Sequence, residues 1–319
     1  MDAGFHNLQR QLAALLPGET WLESSPPLEL TSMGVDEAPR LISATLLEDR
    51  TLRAHTIAGD VEPHFAAFLD GTQRSRVIAH AGEVPIVHGV IAAVVRQRVE
   101  RRLGTWRAPI VRGALYAPLG LLGDVWRDAL RRSRIDVVDT LDAKQGDSQH
   151  PFALQDAAIH AIQRAREAAE RELAEAWCAA GDGDLFLDGS VTGSDAVATS
   201  SRAVGVVKTH RTLYAEGDAL RTVLRLHRAE RSSIFRITSP RRTPVASWYL
   251  RVRDPRGHDP LWGLVRVDVA EAHGNLPQRA DDVSRWVLAE ALPLAVPDGR
   301  WDKMMYGIRD CEEFLRAIQ

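Results

Sequence analysis

"FLDG" occurs twice in this chain, at Phe68–Gly71 within "FAAFLDGTQRS" (65–75) and at Phe186–Gly189 within "LFLDGSVTGS" (185–194), with the two aspartates 118 positions apart. Asp-Gly after an apolar run is a local signature of a strand ending in a tight turn, because both residues tolerate the backbone angles required. A single copy carries no more than that. Two copies admit a second reading, in which two strands end side by side and each presents a carboxylate at one edge of a sheet. What lies between them decides the fold.

From His64 onward, "HFAAFLDG", "RSRVIAH" and "VPIVHGVIAAVVRQRV" read as three consecutive strands joined by short loops, with "AGE" as a turn. The Arg-rich stretch "RQRVERRLGTWRAPIVRG" and the helix-prone "GDVWRDALRRSRIDVVDTLD" follow. "HPFALQDAAIHAIQRAREAAERELAEAWCAAG" reads as a long helix, with Pro151 near its start and Gly181 just past its end. Its apolar stripe runs through Ile159, Ile162, Ala165, Ala169, Leu173, Ala176 and Trp177 at helical spacing. Then come strands at "DLFLDG" and "SRAVGVVKTHRTLY", a helix at "GDALRTVLRLHRAE", an antiparallel pair at "VASWYLRVRDP" and "PLWGLVRVDVA", and a helix at "PQRADDVSRWVLAEALPLAV". Upstream, Phe5–Leu16 reads as an amphipathic helix, "SSPPLEL" as a loop, and "LISATLLEDRTLRAHTIA" as either helix or strand. Residues 1–58 are therefore read as a helical or irregular N-terminal extension and 59–319 as one α/β domain. Strand with Asp70, two strands, helix, strand with Asp188 is the order of an RNase H-like fold, a mixed sheet flanked by helices in which the first and fourth strands are neighbours.

With 319 residues, 45% of them apolar and 26% charged, the composition is that of a globular protein with a real core. No apolar run approaches a membrane span, and the first residues carry an early acid rather than a basic start and cleavage site, so the expectation is a soluble, cytoplasmic chain without membrane contact. Only Cys178 and Cys311 are present, without CxxC spacing or a nearby cluster of His, so neither a disulfide framework nor a structural zinc site is suggested. Any metal must then sit on oxygen ligands. A net charge of −3 excludes a chain that coats nucleic acid with its whole surface but leaves room for a local basic groove. Of the 40 basic residues 37 are arginines, so the lysine in "VGVVKTH", Lys208, stands out.

In such a sheet Asp70 and Asp188 meet at strand ends, where open α/β sheets place their sites. Adjacent carboxylates repel unless a cation lies between them, and oxygen-only ligation favours Mg²⁺ or Mn²⁺. Two such ions roughly 4 Å apart activate a water and stabilise the leaving oxygen of a phosphodiester, so the chemistry indicated is phosphoryl hydrolysis. The long helix should add a third acid. Glu170 and Glu172 both flank its apolar stripe, and geometry does not separate them. Lys208 would hold a phosphate as a point charge, Asp268 in "GLVRVDVA" is a candidate further ligand, and His210 and Tyr214 could position substrate. Arg96, Arg98, Arg101, Arg102 and Arg107 could line a path for backbone phosphates, with Trp106 stacking on a base.

"FLDGTQRS", the helix ending "EAAERELAEAW", "LFLDGSVTG", "VGVVKTH" and "SWYLRVRDP…LWGLVRVDVA" together resemble the successive motifs of the NurA nucleases over roughly residues 60–270. The resemblance implies an RNase H-like core, Mn²⁺ or Mg²⁺, and degradation of DNA from 5′ ends by a homodimer. It also implies a partner, the hexameric DNA-translocating ATPase HerA, in DNA repair or in defence against phage. The family's helix pattern, an acid followed four residues later by a small residue, falls on "ERELA" and selects Glu170 over Glu172. Asp70, Asp188 and Lys208 fall on its strand motifs. Two positions differ: the late strand motif commonly has Glu where this chain has Asp268, and "KMMYGIRDCEEFLRAI" offers Tyr306 but no His for the C-terminal motif.

Overall fold

The computed structural model describes residues 39–100, 102–141, 150–180, 182–238, 240, 242–272, 274–291 and 305–318, together with residues 11, 14 and 15. Most of the expected helix at Phe5–Leu16, the loop "SSPPLEL", Arg101 and Gly181 lie outside the described residues.

Strands β1 (Ala67–Ala81) and β2 (Val84–Val99) form one long antiparallel hairpin. Ala81 opposes Val84, so the turn consists of Gly82 and Glu83, and Gly82 adopts a φ of +64° that glycine accepts without steric cost. β3 (Ile110–Ala117) lies antiparallel on the far side of β2. Helix α1 (Asp124–Arg132) and the short edge strand Val137–Asp139 follow, and then α2 (Pro151–Ala180) returns the chain to β4 (Leu185–Asp188). β4 runs parallel to β1 and to β5 (Ala203–Val207). Helix α3 (Gly217–Leu224) leads to the antiparallel pair β6 (Val245–Arg251) and β7 (Leu264–Ala270), and β7 also pairs antiparallel with β5. Helices α4 (Leu276–Glu290) and α5 (Tyr306–Ile318) complete the described chain. Across the sheet the order is β6-β7-β5-β4-β1-β2-β3, within a mixed sheet of 13 strands.

The sheet is buried on both faces. Leu69 and Leu187 belong to the cluster that contains Ile162, Leu173 and Trp177 of α2, whereas Phe68 and Phe186 belong to the cluster that contains Val283 and Val287 of α4 and Ile308, Cys311 and Leu315 of α5. Side chains alternate between faces along a strand, so the two "FL" dipeptides each place one residue on each side. Close approach of helices to the sheet requires glycine at Gly89 and Gly307, among other positions. A Cβ on Gly89 would lie 2.6 Å from Ile162 of α2, and one on Gly307 would overlap the Phe68 ring.

Three expectations change. The first "FLDG" is not a strand end: Asp70 and Gly71 sit inside β1, because continuous pairing with β2 from Ala67↔Gln97 to Ala81↔Val84 overrides local turn preference. "HFAAFLDG" and "RSRVIAH" are therefore one strand, and the Arg-rich stretch itself supplies the short strand Arg102–Thr105 and the start of Ile110–Ala117. The second "FLDG" does end a strand at Asp188, with Gly189 at φ +136°. Finally, within the expected extension at 1–58, short strands at Thr45–Leu46 and Ala54–Thr56 pair with Phe235–Ile237 and Glu230–Ser232 and so belong to the main sheet.

Candidate functional site

Leu69 pairs with Leu187, so Asp70 and Asp188 occupy the next register position on neighbouring parallel strands, whose separation is about 4.8 Å. β4 stops at Asp188 while β1 continues for eleven residues beyond Asp70, which opens a notch in the sheet at the level of the two acids. Glu170 reaches this notch from α2. Its carboxylate rests against Gly71, where any Cβ would overlap it, so the glycine after Asp70 is the space in which Glu170 lies. Gly71 does not have a positive φ, and its role here is absence of bulk rather than backbone freedom.

Asp70 is buried, and its carboxyl is pushed up to about 8. Burial is the largest cause, the charge of Asp188 adds to it, and Glu170 adds further, against the opposing influence of Lys208 and of the Gly71 N–H that donates to Asp70 at 2.8 Å. Glu170 is raised to about 7, again chiefly by burial, with the nearby charges of Glu167 and Asp188 adding to it and Arg166 opposing. Asp70 and Glu170 both respond to the charge of Asp188. Lys208 donates to Asp188 Oδ2 at 2.9 Å, and Arg166 Nη1 donates to Glu170 Oε1 at 2.5 Å. Lys208 thus pairs with Asp188 and Arg166 with Glu170, while alternation along β1 puts Gly71, and Glu170 against it, on the Leu69 face and Asp70 on the Phe68 face. The oxygens of Asp70, Asp188 and Glu170 do not all lie within 4.8 Å of one another; by type, a donor set of oxygens alone with a glycine cradle for one member is the kind a hard divalent ion such as Mg²⁺ or Mn²⁺ takes.

The other predicted residues divide clearly. Lys208 lies one residue beyond β5 rather than within a strand. Glu172 is on the surface with Arg112, 2.9 Å away, so it is Glu170 that joins the aspartates. Asp268 does not join them. It opposes Gly205, one residue out of phase with the Asp188↔Val206 pair, and it is completely buried. Arg266 Nε and Nη2 donate to its two oxygens at 2.9 and 3.0 Å, and the Ser247 hydroxyl donates at 2.7 Å. Its carboxylate is fully committed to that pair. His210 Nε2 donates to the Leu264 carbonyl at 2.7 Å, and the Tyr214 N–H donates to the Tyr249 hydroxyl at 2.8 Å while its ring stacks on Phe235. Both hold the β6–β7 end of the sheet together.

Two arginines of the expected basic path, Arg96 and Arg98, are absorbed by the fold, whereas Arg102 and Arg107 are exposed. Arg98 Nη2 donates to both oxygens of buried Glu290 at 2.8 Å, Nη1 donates to the Phe65 carbonyl, and the guanidinium lies over Phe68. It ties α4 to the sheet. Arg96 donates to Asp310 of α5 and lies over Phe314. Trp106 packs edge-on against buried Trp177, with Arg107 over its ring at 4.0 Å. Arg102 is exposed in the short strand Arg102–Thr105, and Tyr306 is exposed at the first position of α5.

Two features escaped the sequence reading. Arg166 had no motif to mark it, although its i,i+4 spacing to Glu170 was visible. Glu48, Asp49 and His55 lie close enough together to share a cation. Their oxygens are engaged by other groups, however: Glu48 accepts from Arg231, and Asp49 accepts from the Ser233 hydroxyl and Arg53.

No protein-family model matches the chain, and no curated protein matches it. Among the described residues, no helix is long and apolar enough to cross a membrane.

Proposed function

We propose that the chain is a metal-dependent DNA nuclease with an RNase H-like core, similar to the NurA nucleases. It would hydrolyse phosphodiester bonds 5′ to 3′ as a homodimer in the cytoplasm, together with a HerA-type hexameric ATPase, in DNA repair or defence against phage. The observation that carries this reading is that Asp70 and Asp188 hold one register position on neighbouring parallel strands, with Glu170 of the helix between them against Gly71 and near enough to raise the Asp70 carboxyl. The strand order β3-β2-β1-β4-β5, with the first two pairings antiparallel and the next two parallel, supports the RNase H-like core.

Asp70, Asp188 and Glu170 are the residues that would hold Mn²⁺ or Mg²⁺. When bound, a pair of such ions supplies an activated water and charge stabilisation at the leaving oxygen. The chain's own residues do the rest. Gly71 leaves Glu170 room to approach, burial of Asp70 keeps bulk water from screening its carboxylate, and Lys208, held against Asp188, would set an ammonium beside the scissile phosphate.

Incubation of the purified chain with end-labelled DNA and Mn²⁺ tests the reading, with Asp70→Asn and Glu170→Gln as controls. Cleavage that survives undiminished in both variants sinks it. One observation favours a second reading, an inactive adaptor that binds DNA and the motor: "KMMYGIRDCEEFLRAI" offers Tyr306 but no His where the NurA nucleases carry their C-terminal motif. Absence of cleavage with and without a HerA-type ATPase, with DNA binding retained, identifies the adaptor.

A further inference from the structure

Arg166 is the least explained charged group at the site. It lies on α2 one turn before Glu170, and its guanidinium is held at two corners: Nη1 donates to Glu170 Oε1 at 2.5 Å and Nε donates to Gln73 Oε1 at 3.2 Å. Gln73 is on β1, three residues past Asp70, so the head group spans from helix to strand beside the notch. The third corner, Nη2, has a Glu167 oxygen at 3.9 Å, beyond hydrogen-bond distance. The side chain is about one quarter exposed, close to the exposure of Lys208.

A helix-surface ion pair of this spacing is ordinarily worth a few tenths of a kcal/mol and needs no third anchor. Here a glutamine on a different element fixes the plane of the guanidinium, which is the arrangement that suits a planar fork to a tetrahedral oxyanion. Charge counting points the same way. With Asp70, Asp188 and Glu170 all ionised and Glu167 beside Arg166, the four carboxylates against Arg166 and Lys208 leave two negative charges, which repel a phosphodiester. Once divalent ions take up the carboxylate oxygens, the same two side chains become surplus positive charge on opposite flanks of the notch. Lys208 faces the Asp188 side and Arg166 the Glu170 side.

We propose that Arg166 is a phosphate-binding residue, which grips a non-bridging oxygen of the DNA backbone on the α2 side of the notch while Lys208 grips the other side. This rests on the nuclease reading for its substrate. The role is distinct from holding Glu170 in place, because the Nε–Gln73 bond keeps the guanidinium at the notch when Glu170 turns to an ion.

The test uses the full chain and three variants, Arg166→Gln, Arg166→Lys and Glu170→Gln, each first checked by thermal unfolding. Mn²⁺ binding is measured by titration calorimetry, and binding of a short labelled oligodeoxynucleotide is measured by fluorescence anisotropy in Ca²⁺. Loss of one charge-assisted hydrogen bond to phosphate should weaken oligonucleotide binding by about tenfold to a hundredfold. Arg166→Gln should show that loss with Mn²⁺ affinity within about threefold of the parent chain, and Arg166→Lys should recover part of it, since lysine keeps the charge but not the fork. If Arg166→Gln loses Mn²⁺ as fully as Glu170→Gln, Arg166 merely positions Glu170 and the proposal is overturned. Unchanged oligonucleotide binding in Arg166→Gln overturns it as well, as does a parent chain that does not bind DNA. A parent chain that binds DNA in an Arg166-dependent manner yet never cleaves it would refute the nuclease reading and leave this one standing. Should Arg166→Gln unfold, Arg166→Lys carries the same comparison.

Discussion

Replacing Asp70 by Asn should stabilise the cation-free protein while abolishing its response to metal. The carboxyl is held near 8 against an ordinary value of 3.8, so the folded chain binds its proton far more tightly than the unfolded chain does. Each factor of ten in proton affinity is worth about 1.4 kcal/mol, so full ionisation of Asp70 in the cation-free fold costs on the order of 5 kcal/mol. The sign follows directly. Protonated Asp70 contributes stability that is fully present below about pH 4 and is lost as the pH rises through about 8, so the parent chain weakens across that window. Asn carries no charge to desolvate, fills nearly the same volume, and keeps an oxygen for the Gly71 N–H. The advantage of the variant should therefore be small near pH 4, grow to about 2–5 kcal/mol by pH 8 to 9, and then level off. Urea unfolding in the presence of a chelator, at one-unit pH intervals, measures this. With saturating Mn²⁺ the order reverses, because bound cation stabilises the parent and not the variant. A variant that is less stable than the parent at every pH, or whose advantage shrinks with rising pH, would refute the account of Asp70 as a crowded, buried acid.

Gly71→Ala should leave the hairpin folded yet displace Glu170, lowering Mn²⁺ affinity at least tenfold by calorimetry, and adding Glu170→Gly should remove any accompanying loss of stability. Arg98→Ala leaves Glu290 buried without its partner and should cost about 3–5 kcal/mol in urea unfolding, with Mn²⁺ affinity unchanged. Asp268→Ala strands Arg266 in the same way and should cost a similar amount, whereas a ligand role would instead give a stable protein with weakened metal binding. At sub-saturating Mn²⁺, cleavage should rise between pH 6 and pH 8, because Asp70 and Glu170 must release protons to take a cation; a rate that is flat across that range at constant free Mn²⁺ excludes both as ligands.

The sequence made legible those elements whose side-chain period is long and uninterrupted. α2 shows thirty residues of helical spacing that begin at Pro151, and the pair "SWYLRVRDP" and "LWGLVRVDVA" shows the β-branched alternation that pairs as β6 and β7. What it concealed depends on partners distant in sequence. Nothing local at Asp70–Gly71 reveals that β2 pairs straight past it, or that the glycine is there for a glutamate 99 positions later. Arg98 and Arg96 look like free cations until Glu290 and Asp310 arrive from the far end of the described chain. Asp268 was the more readable miss. Arg266 is two residues away on the same face of one strand, and that spacing alone suggests an internal pair.

The seating of Gly307 on the Phe68 ring has a consequence for the order of assembly. The two residues are 239 positions apart, and their contact closes the layer directly behind Asp70. Such a closure is among the slowest in a chain of this size, because a long segment must be immobilised before the contact repays it. The hairpin β1–β2 and its packing against α2 involve much shorter excursions and can form first. Repelling carboxylates would thus be brought under cover only at the last stage of folding, when both apolar faces already hold the sheet. Pulse-labelled hydrogen exchange during refolding should find α2 protected before α5.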